Sequence, residues 1–212
     1  MEEAGLTVAD RLNSLLTEAG LDELEPQLAS RFSIYLSLLM RWNARMNLTA
    51  IRDESGILAR HFVECIACAR ALPQGVGSLL DFGSGAGFPG IPIALCRPEI
   101  AVTLCESQGK KAAFLQEAIR VLGLLTKVHA KRAETLGAVF DCVALRAVDR
   151  MAAAVGAAAA LVGPGGYLVG MTTNAESDVM RLSAGVGFSW SDSLPLPGSE
   201  DRILCIGKRS VG

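Results

Sequence analysis

The sequence lacks the features of a membrane or secreted protein. No apolar run is as long as a membrane span, and the alanine-rich stretch Ala152–Val162 is short enough to be a packed helix. Residues 1–3 have neither the basic region nor the apolar core of a signal peptide. We therefore expect a cytoplasmic protein that makes no membrane contact.

Aromatic residues and paired cysteines are also scarce. Aromatic side chains make up 5% of the chain, and the six cysteines are scattered along it. The single pair Cys65-x-x-Cys68 has no second pair and no nearby histidine at ligand spacing. We expect the thiols to pack as small hydrophobic groups and predict no metal site.

The length and the apolar content allow one domain with an appendage, or two small domains. Of the 212 residues, half are apolar, which is enough for a sizeable core. Helices are predicted over 7–19, 26–43 and 57–71, and the short linker 73–77 follows them. We assign residues 1–72 to an N-terminal helical subdomain that caps a sheet domain, residues 73–212.

In the second part of the chain, predicted strands alternate with predicted helices, which is typical of an open parallel sheet. The strands are expected at 78–82, 101–105, 127–130, 141–145 and 167–171. Two last strands, near 188–194 and 203–206, flank a turn at 195–198 and predict an antiparallel hairpin. This α/β arrangement is the architecture expected of a class I (Rossmann-like) methyltransferase.

The most informative stretch is the glycine-rich segment behind the first predicted strand. Gly83, Gly85 and Gly87 alternate directly after a buried apolar run. Glycines at such a turn allow the backbone to approach a ligand that a Cβ would block, and the N-terminus of a helix follows. The segment therefore predicts a nucleotide-binding loop.

This loop is compatible with two kinds of ligand. Its Gly85-x-Gly87-x-x-Gly90 spacing nominally matches the dinucleotide fingerprint. Asp81, however, lies just before the first glycine, and a carboxylate there repels a pyrophosphate and attracts a cation. S-adenosylmethionine carries a sulfonium and an ammonium and no phosphate, so the sequence favours it. A tight turn without a ligand is the third possibility.

Further candidate ligand contacts lie at the ends of the other predicted strands. Glu106 closes the second strand, where an acidic side chain can accept hydrogen bonds from two ribose hydroxyls. Arg146 follows the fourth strand, and an arginine there faces the ligand crevice of an open sheet. Ala133 and Glu134 follow the third strand and are expected near a bound adenine.

Positive charges cluster in two stretches, although the formal net charge is −2. Residues 26–52 contain four arginines and no acid, and residues 107–132 contain six cations and Glu117 alone as an acid. Two such stretches predict a phosphate-binding patch, with ordinary solvated helix faces as the alternative. The proposed RNA contacts in these stretches are Arg41, Arg45, Arg52, Lys110 and Lys111.

Several motifs together resemble one family closely, the bacterial RsmG (GidB) methyltransferases of small-subunit ribosomal RNA. They are Trp42-Asn43-x3-Asn47-Leu48-Thr49, Ile51-Arg52-Asp53, Arg60-His61-Phe62, Asp81-x-Gly83-Ser84-Gly85-Ala86-Gly87-Phe88-Pro89-Gly90-Ile91-Pro92, Glu106-Ser107-x2-Lys110-Lys111-x2-Phe114-Leu115 and Arg146-Ala147. The glycine segment joined to the upstream Trp-Asn motif carries the specificity of the resemblance. A glycine loop alone would not carry it.

The resemblance implies N7-methylation of one guanine in the decoding-region loop of 16S ribosomal RNA, with S-adenosylmethionine as the cofactor. It also implies that the substrate is 16S ribosomal RNA or the small ribosomal subunit. The residues implied to contact the cofactor are Gly83, Phe88, Ala133, Glu134 and Arg146. We expect a monomer.

N7 of guanine already carries a lone pair and no proton, so this methylation requires no general base, and no residue is assigned as a certain catalyst. Asn47, His61 and Phe88 are candidates to position the guanine, with Phe88 or Trp42 as a stacking surface. Two rivals remain at this point. They are a nucleotide-linked oxidoreductase and a non-catalytic RNA-binding or assembly module.

The chain departs from the family pattern at two places. Leu145 stands before the Arg-Ala pair, where the family usually has serine. The stretch Val169-Gly170-Met171-Thr172 lacks the lysine that family members often carry after the fifth strand. If that lysine holds RNA, affinity or substrate choice differs here, and neither change implies a loss of activity.

Overall fold

A single mixed sheet forms the centre of the molecule in a computed structural model that describes residues 5–147 and 150–211. The ends of the two predicted domains, residues 1–4 and 212, lie outside the described residues, as do Val148 and Asp149. The strands are β1 (Ser78–Phe82), β2 (Ala101–Cys105), β3 (Lys127–His129), β4 (Phe140–Arg146), β5 (Val162–Thr173), β6 (Phe188–Trp190), β7 (Leu194–Pro195) and β8 (Arg202–Arg209).

The strand order is β3-β2-β1-β4-β5-β8-β6, with β7 paired to β8. Strands β1 to β5 are parallel to their neighbours, whereas β8 is antiparallel to β5, β6 and β7. The predicted class I methyltransferase sheet with a C-terminal antiparallel hairpin is confirmed. Its register brings Phe82, Cys105, Arg146 and Arg202 to one edge, because Phe82 pairs with Cys105 and Arg202 pairs with Thr173.

Helices cover both faces of this sheet and build an N-terminal cap. They are α1 (Val8–Glu18), α2 (Pro26–Met46), α3 (Glu54–Ile57), α4 (Glu64–Ala71), α5 (Gly90–Cys96), α6 (Gly109–Val121), α7 (Met151–Ala160) and α8 (Asn174–Ala184). A π-helical segment, Leu58–Val63, joins α3 to α4, and a 3₁₀ turn covers Ala133–Thr135. None of the described helices is both long and apolar enough to cross a membrane.

Helix α1 starts as its sequence predicts. The Thr7 side chain accepts a hydrogen bond from the Asp10 backbone N–H, and the Asp10 carboxylate accepts one from the Thr7 backbone N–H. This capping box satisfies N–H groups that have no partner within the helix. Leu12 and Leu16, on the apolar stripe, are fully buried.

Helix α2 continues past its predicted end at Asn43 and stops at Met46. Asn43 is buried, and its amide accepts a hydrogen bond from Thr49 N (3.0 Å) and donates one to Ile51 O (3.1 Å). Asn47 then ends the helix in a left-handed conformation, with φ of 49°. The polar residues therefore mark the folding back of the chain onto α2, and the break in helical periodicity predicted the helix end too early.

The N-terminal helices and the sheet share one core. Phe32, Leu36 and Phe62 of the cap are packed in the same buried cluster as Leu104 and Phe114. The Tyr35 hydroxyl donates a 2.6 Å hydrogen bond to Ala86 O, at the glycine loop. The cap therefore supports the loop directly, while the division of the chain after residue 72 stays a prediction.

The cysteines pack as expected. All six are free thiols, and Cys65 and Cys68 are fully buried on α4. Burial raises the pKa of the Cys65 thiol to about 12, which keeps it protonated at neutral pH. Neither thiol is suited to redox chemistry.

Candidate active site

A cavity of about 930 Å³ opens at the carboxyl edge of the sheet. The glycine loop, the end of β2 and the turn at Ala133 and Glu134 line one side of it. The loop Leu48–Ile51 and the π-helical residues Arg60 and His61 reach it from the cap. The crevice between the strand ends and the cap is where open α/β sheets bind their ligands.

The glycines of the loop serve two different purposes. Gly83, Gly85 and Gly87 all have positive φ, a conformation that disfavours other residues. A Cβ on Gly85 would meet only Gly83 O at 3.9 Å, so this part of the loop presents open backbone to the cavity. A Cβ on Gly87 would lie 2.8 Å from the Tyr35 hydroxyl. The absence of a side chain at Gly87 therefore allows the cap to pack against the loop, and Gly87 does not line the cavity.

Glu106 holds the loop in place from the end of β2. Its carboxylate accepts hydrogen bonds from Gly85 N at 3.0 Å and from Gln108 N at 2.7 Å. Each carboxylate oxygen accepts one of these bonds and keeps a further lone pair. Because Glu106 also lines the cavity, it can accept hydrogen bonds from a diol there, as predicted for a ribose.

Asp81 lies behind the glycine loop rather than on the cavity wall. It is fully buried, and its Oδ2 accepts a hydrogen bond from Gly90 N at 3.0 Å. Its Oδ1 has no hydrogen-bond partner among the described residues. Burial raises the pKa of the Asp81 carboxyl to about 7. Asp81 does not line the cavity, so its predicted contact with the cofactor stays a prediction, and a positive charge nearby would stabilise the ionised form.

Arg146 reaches the cavity but is held by Glu64, which was not among the predicted site residues. Its Nη2 donates to the Glu64 carboxylate at 2.8 Å and to Arg60 O at 2.7 Å. Its guanidinium lies 5.8 Å from the centre of the Phe88 ring. The feature of the sequence that could have identified Glu64 as a partner of Arg60 is their spacing, because residues four apart are neighbours on a regular helix.

His61 and Phe88, two candidates to position a guanine, both line the cavity and contact each other. Their ring centroids are 4.6 Å apart, and His61 Nε2 lies 2.7 Å from Thr49 Oγ1. Burial, followed by the charges of Arg146 and Arg60, lowers the pKa of His61 to about 3. The imidazole is therefore neutral at physiological pH.

Other predicted residues lie away from the cavity. Asn47 is exposed outside it and accepts a hydrogen bond from Arg52 Nη2 at 2.5 Å. Trp42 packs edge-on against Phe114, with ring centroids 5.7 Å apart. Of the five proposed RNA contacts, all of them described, Lys111 alone lines the cavity; Arg41, Arg45, Arg52 and Lys110 do not.

Cations nevertheless dominate the cavity wall. Those that line it are Arg60, Lys111, Lys131, Arg132, Arg146, Arg150 and Arg202, against the acids Glu106, Glu134 and Glu176. Arg60, Arg150 and Arg202 were not predicted as site residues. A cavity with a cationic excess on an acidic protein favours a ligand that carries phosphates.

A comparison with protein families identifies the chain. The model described as "rRNA small subunit methyltransferase G" (GidB) matches residues 28–185. The chain belongs to this family. Both sides of the cavity come from the matched region, except Arg202 in β8.

Individual members of the rRNA small subunit methyltransferase G family match most of the chain. The protein of that name from Xanthomonas axonopodis pv. citri is 38% identical over 92% of this chain and 95% of its own length. Its namesake from Roseiflexus sp. is 47% identical over 61% of this chain and 58% of its own length. The chain is therefore a methyltransferase of this family.

Solved structures support the fold independently. An O-methyltransferase family protein from Burkholderia thailandensis has a TM-score of 0.56 at 17% identity, covering 93% of this chain and 76% of that one. P. horikoshii TYW2, in complex with MeSAdo, has a TM-score of 0.56 at 14% identity, covering 70% of this chain and 62% of that one. At such identities the likeness shows a shared methyltransferase fold.

Proposed function

We propose that the protein transfers a methyl group from S-adenosylmethionine to N7 of one guanine in 16S ribosomal RNA. By resemblance, the target is guanine 527. The observation that carries this proposal is the cavity itself. In a chain of this family, one space is lined by an open glycine loop with an acidic strand end and also by an excess of arginines and lysines.

The residues on the glycine-loop side fit the proposed cofactor. Glu106 retains acceptor capacity for the ribose hydroxyls, and the buried Ala133 lies beside Cys105 on the wall where an adenine would lie. Asp81, whose pKa burial raises to about 7, gives the loop a negative potential when it is ionised, and a cationic ligand favours that form. Both carboxylates disfavour a pyrophosphate, which argues against the oxidoreductase alternative.

The chemistry needs orientation more than proton transfer. The cofactor supplies an electrophilic methyl group next to a positive charge, and the guanine N7 lone pair attacks it directly. Holding two reactants in line lowers the barrier by several kcal/mol, up to about 7–11 kcal/mol in favourable cases. The residues of this chain are asked to bind and align, so an active site without a general base is consistent with the reaction.

The neutral His61 ring and the Phe88 ring suit the guanine. Methylation moves positive charge onto the purine, and a charged imidazole beside it would oppose that change. His61 stays neutral because its pKa is about 3, and Thr49 fixes its ring by a hydrogen bond. We infer that these two rings position the base, whereas Asn47 supports the turn after α2 and does not contact it.

The substrate we propose is 16S ribosomal RNA or the small subunit, bound through the cations that rim the cavity. Lys111, Lys131 and Arg132 lie on the side of β2 and β3 and continue the basic stretch expected from the sequence. The monomeric state and the cytoplasmic location stay predictions.

Two measurements test this function. S-adenosylhomocysteine should raise the melting temperature of the protein and NADH should not, because only a ligand that binds the native state stabilises it. Incubation of small-subunit RNA or subunits from a strain lacking the modification with labelled S-adenosylmethionine should then transfer label to RNA. Stabilisation by NADH alone, or no transfer to either substrate, would contradict the proposal.

A further inference from the structure

Three arginines surround one buried carboxylate at the far side of the cavity. The Glu64 side chain has no exposed surface. Its oxygens lie 2.8 Å from Arg146 Nη2, 2.7 Å from Arg202 Nε and 3.4 Å from Arg60 Nε. We call Glu64, Arg60, Arg146 and Arg202 the arginine cluster.

The arginine cluster carries more positive charge than Glu64 can neutralise. Three guanidinium groups against one carboxylate leave an excess of two positive charges. Glu176 and Arg150 also line the cavity and carry opposite charges, so together they leave this excess unchanged. An excess of positive charge at the wall of a cavity is expected where a ligand supplies the missing negative charge.

The unused hydrogen-bond donors of the cluster are accessible from the cavity. Arg60 and Arg202 line it, with side chains 46% and 22% exposed, whereas Arg146 is only 10% exposed and is held by Glu64 and Arg60 O. A guanidinium has five N–H groups, and the bonds to Glu64 use only part of them. Arg202 Nη2 is not one of the accessible donors, because it is buried and lies 2.6 Å from Glu64 Oε1.

Arg60 and Arg202 lie away from the side that fits the cofactor, whereas Arg146, at the end of the strand next to β1, stays a predicted cofactor contact. Arg146 ends β4, and Arg202 starts β8, where it pairs with Thr173 at the end of β5. Glu106 and Ala133 lie on the other side, at the ends of β2 and β3. His61, next to Arg60 in the chain, lines the cavity with its ring 4.6 Å from that of Phe88.

We propose that Arg60 and Arg202, held in place by Glu64, form a phosphate subsite for the RNA backbone beside the target guanine. Arginine binds phosphate through two parallel N–H···O bonds, and a fixed guanidinium loses less freedom on binding than a mobile one. Glu64 has the role of a positioning residue, because it orients the two arginines without contacting RNA. The proposal rests on the methyltransferase function proposed above.

The rival explanation is that the cluster only ties the cap to β4 and β8. In that case Arg202→Gln would lower stability and impair cofactor binding and methylation together. A phosphate subsite predicts instead that the loss depends on the charge of specific RNA phosphates. The test therefore combines protein variants with RNA in which the phosphates flanking the target guanine are replaced by neutral methylphosphonates beside 2′-O-methyl sugars.

The reference RNA carries the same 2′-O-methyl sugars with ordinary phosphates. Arg60→Gln and Arg202→Gln should each lower kcat/KM on the reference RNA about tenfold or more, as expected for charged hydrogen bonds. Their affinity for S-adenosylhomocysteine should equal that of the wild type. On the methylphosphonate RNA, the wild type should lose activity to a similar degree, and the variants should lose no more.

Two control variants sharpen this cycle. Arg202→Lys restores a positive charge and should recover part of the activity on the reference RNA only. Arg70→Gln, a matched change at an exposed arginine outside the cavity lining, should leave all rates unchanged. The subsite would be overturned if the loss of kcat/KM in an arginine variant and the loss on methylphosphonate RNA multiplied when the two were combined. It would also be overturned if the arginine variants lost affinity for S-adenosylhomocysteine. Failure of the wild type to methylate both unmodified small-subunit RNA and the small subunit would instead overturn the proposed function itself.

Discussion

Glu106→Gln tests the link between the glycine loop and the cofactor. The change keeps the size of the side chain but replaces one carboxylate oxygen by an NH₂ group, which accepts no hydrogen bond. The glutamine side chain therefore loses one of the two hydrogen bonds that Glu106 accepts, either from Gly85 N or from Gln108 N. Those two hydrogen bonds measure 3.0 and 2.7 Å. Hydrogen bonds to a charged group contribute about 1.5–3 kcal/mol each, so losing one such bond plus the charged acceptor for a ribose hydroxyl weakens cofactor binding about tenfold to a few hundredfold.

Titration calorimetry with S-adenosylhomocysteine measures this loss directly. The comparison variant is Glu134→Gln, which also lines the cavity but is exposed, so solvent screening limits its effect to about 1 kcal/mol or less. Circular dichroism and the melting temperature show whether each variant is folded. An unchanged affinity in a folded Glu106→Gln protein would refute the assignment of the β2 end as the ribose contact.

Three further predictions follow from the geometry behind the cavity wall. Burial raises the pKa of Asp81 from 3.8 to about 7. The contribution of this group to the free energy of unfolding is therefore fully present below about pH 4 and is lost as the pH rises through 7. The free energy of unfolding in urea should differ less between pH 5 and pH 8 in Asp81→Asn than in the wild type. An identical difference in the two proteins would contradict the raised pKa of Asp81. The imidazole of His61 should remain neutral at pH 5 in ¹⁵N NMR spectra, since its pKa is about 3; a titration midpoint near 6.5 would show that the ring is solvated. Gly87→Ala should cost about 1–3 kcal/mol of stability, because its Cβ would lie 2.8 Å from the Tyr35 hydroxyl at positive φ, whereas Gly85→Ala should cost less stability and chiefly weaken S-adenosylhomocysteine binding. Equal melting temperatures for these two variants would be inconsistent with the different packing of the two glycines.

Much of the site could be predicted from local patterns in the sequence. Gly83, Gly85 and Glu106 follow predicted strands, and parallel strands bring their carboxyl ends to one edge whatever the loop details are. Ala133, Glu134 and Arg146 reach the cavity for the same reason. The topology alone therefore places these residues, and the resemblance to a known family adds the chemistry.

Contacts between distant segments were not predictable in this way. Glu64 meets Arg202 across 138 positions of sequence, and helical periodicity reports which face a residue occupies but not its partner. From the sequence, the second helix was expected to end at Asn43, where the apolar stripe stops, and Asn47 was a candidate to position the guanine. In the structure, the helix continues to Met46, and the buried Asn43 side chain binds the backbone of the following loop. Asn47 ends this longer helix and lies outside the cavity lining.

The position and chemical form of the transferred methyl group test the central claim most directly. Small-subunit RNA methylated by the wild-type protein can be digested by nucleases and analysed by mass spectrometry. The account predicts one 7-methylguanosine, in the decoding-region loop, and strongly reduced amounts with the folded Glu106→Gln variant. A methyl group on another atom or another base, or undiminished product from that variant, would contradict it.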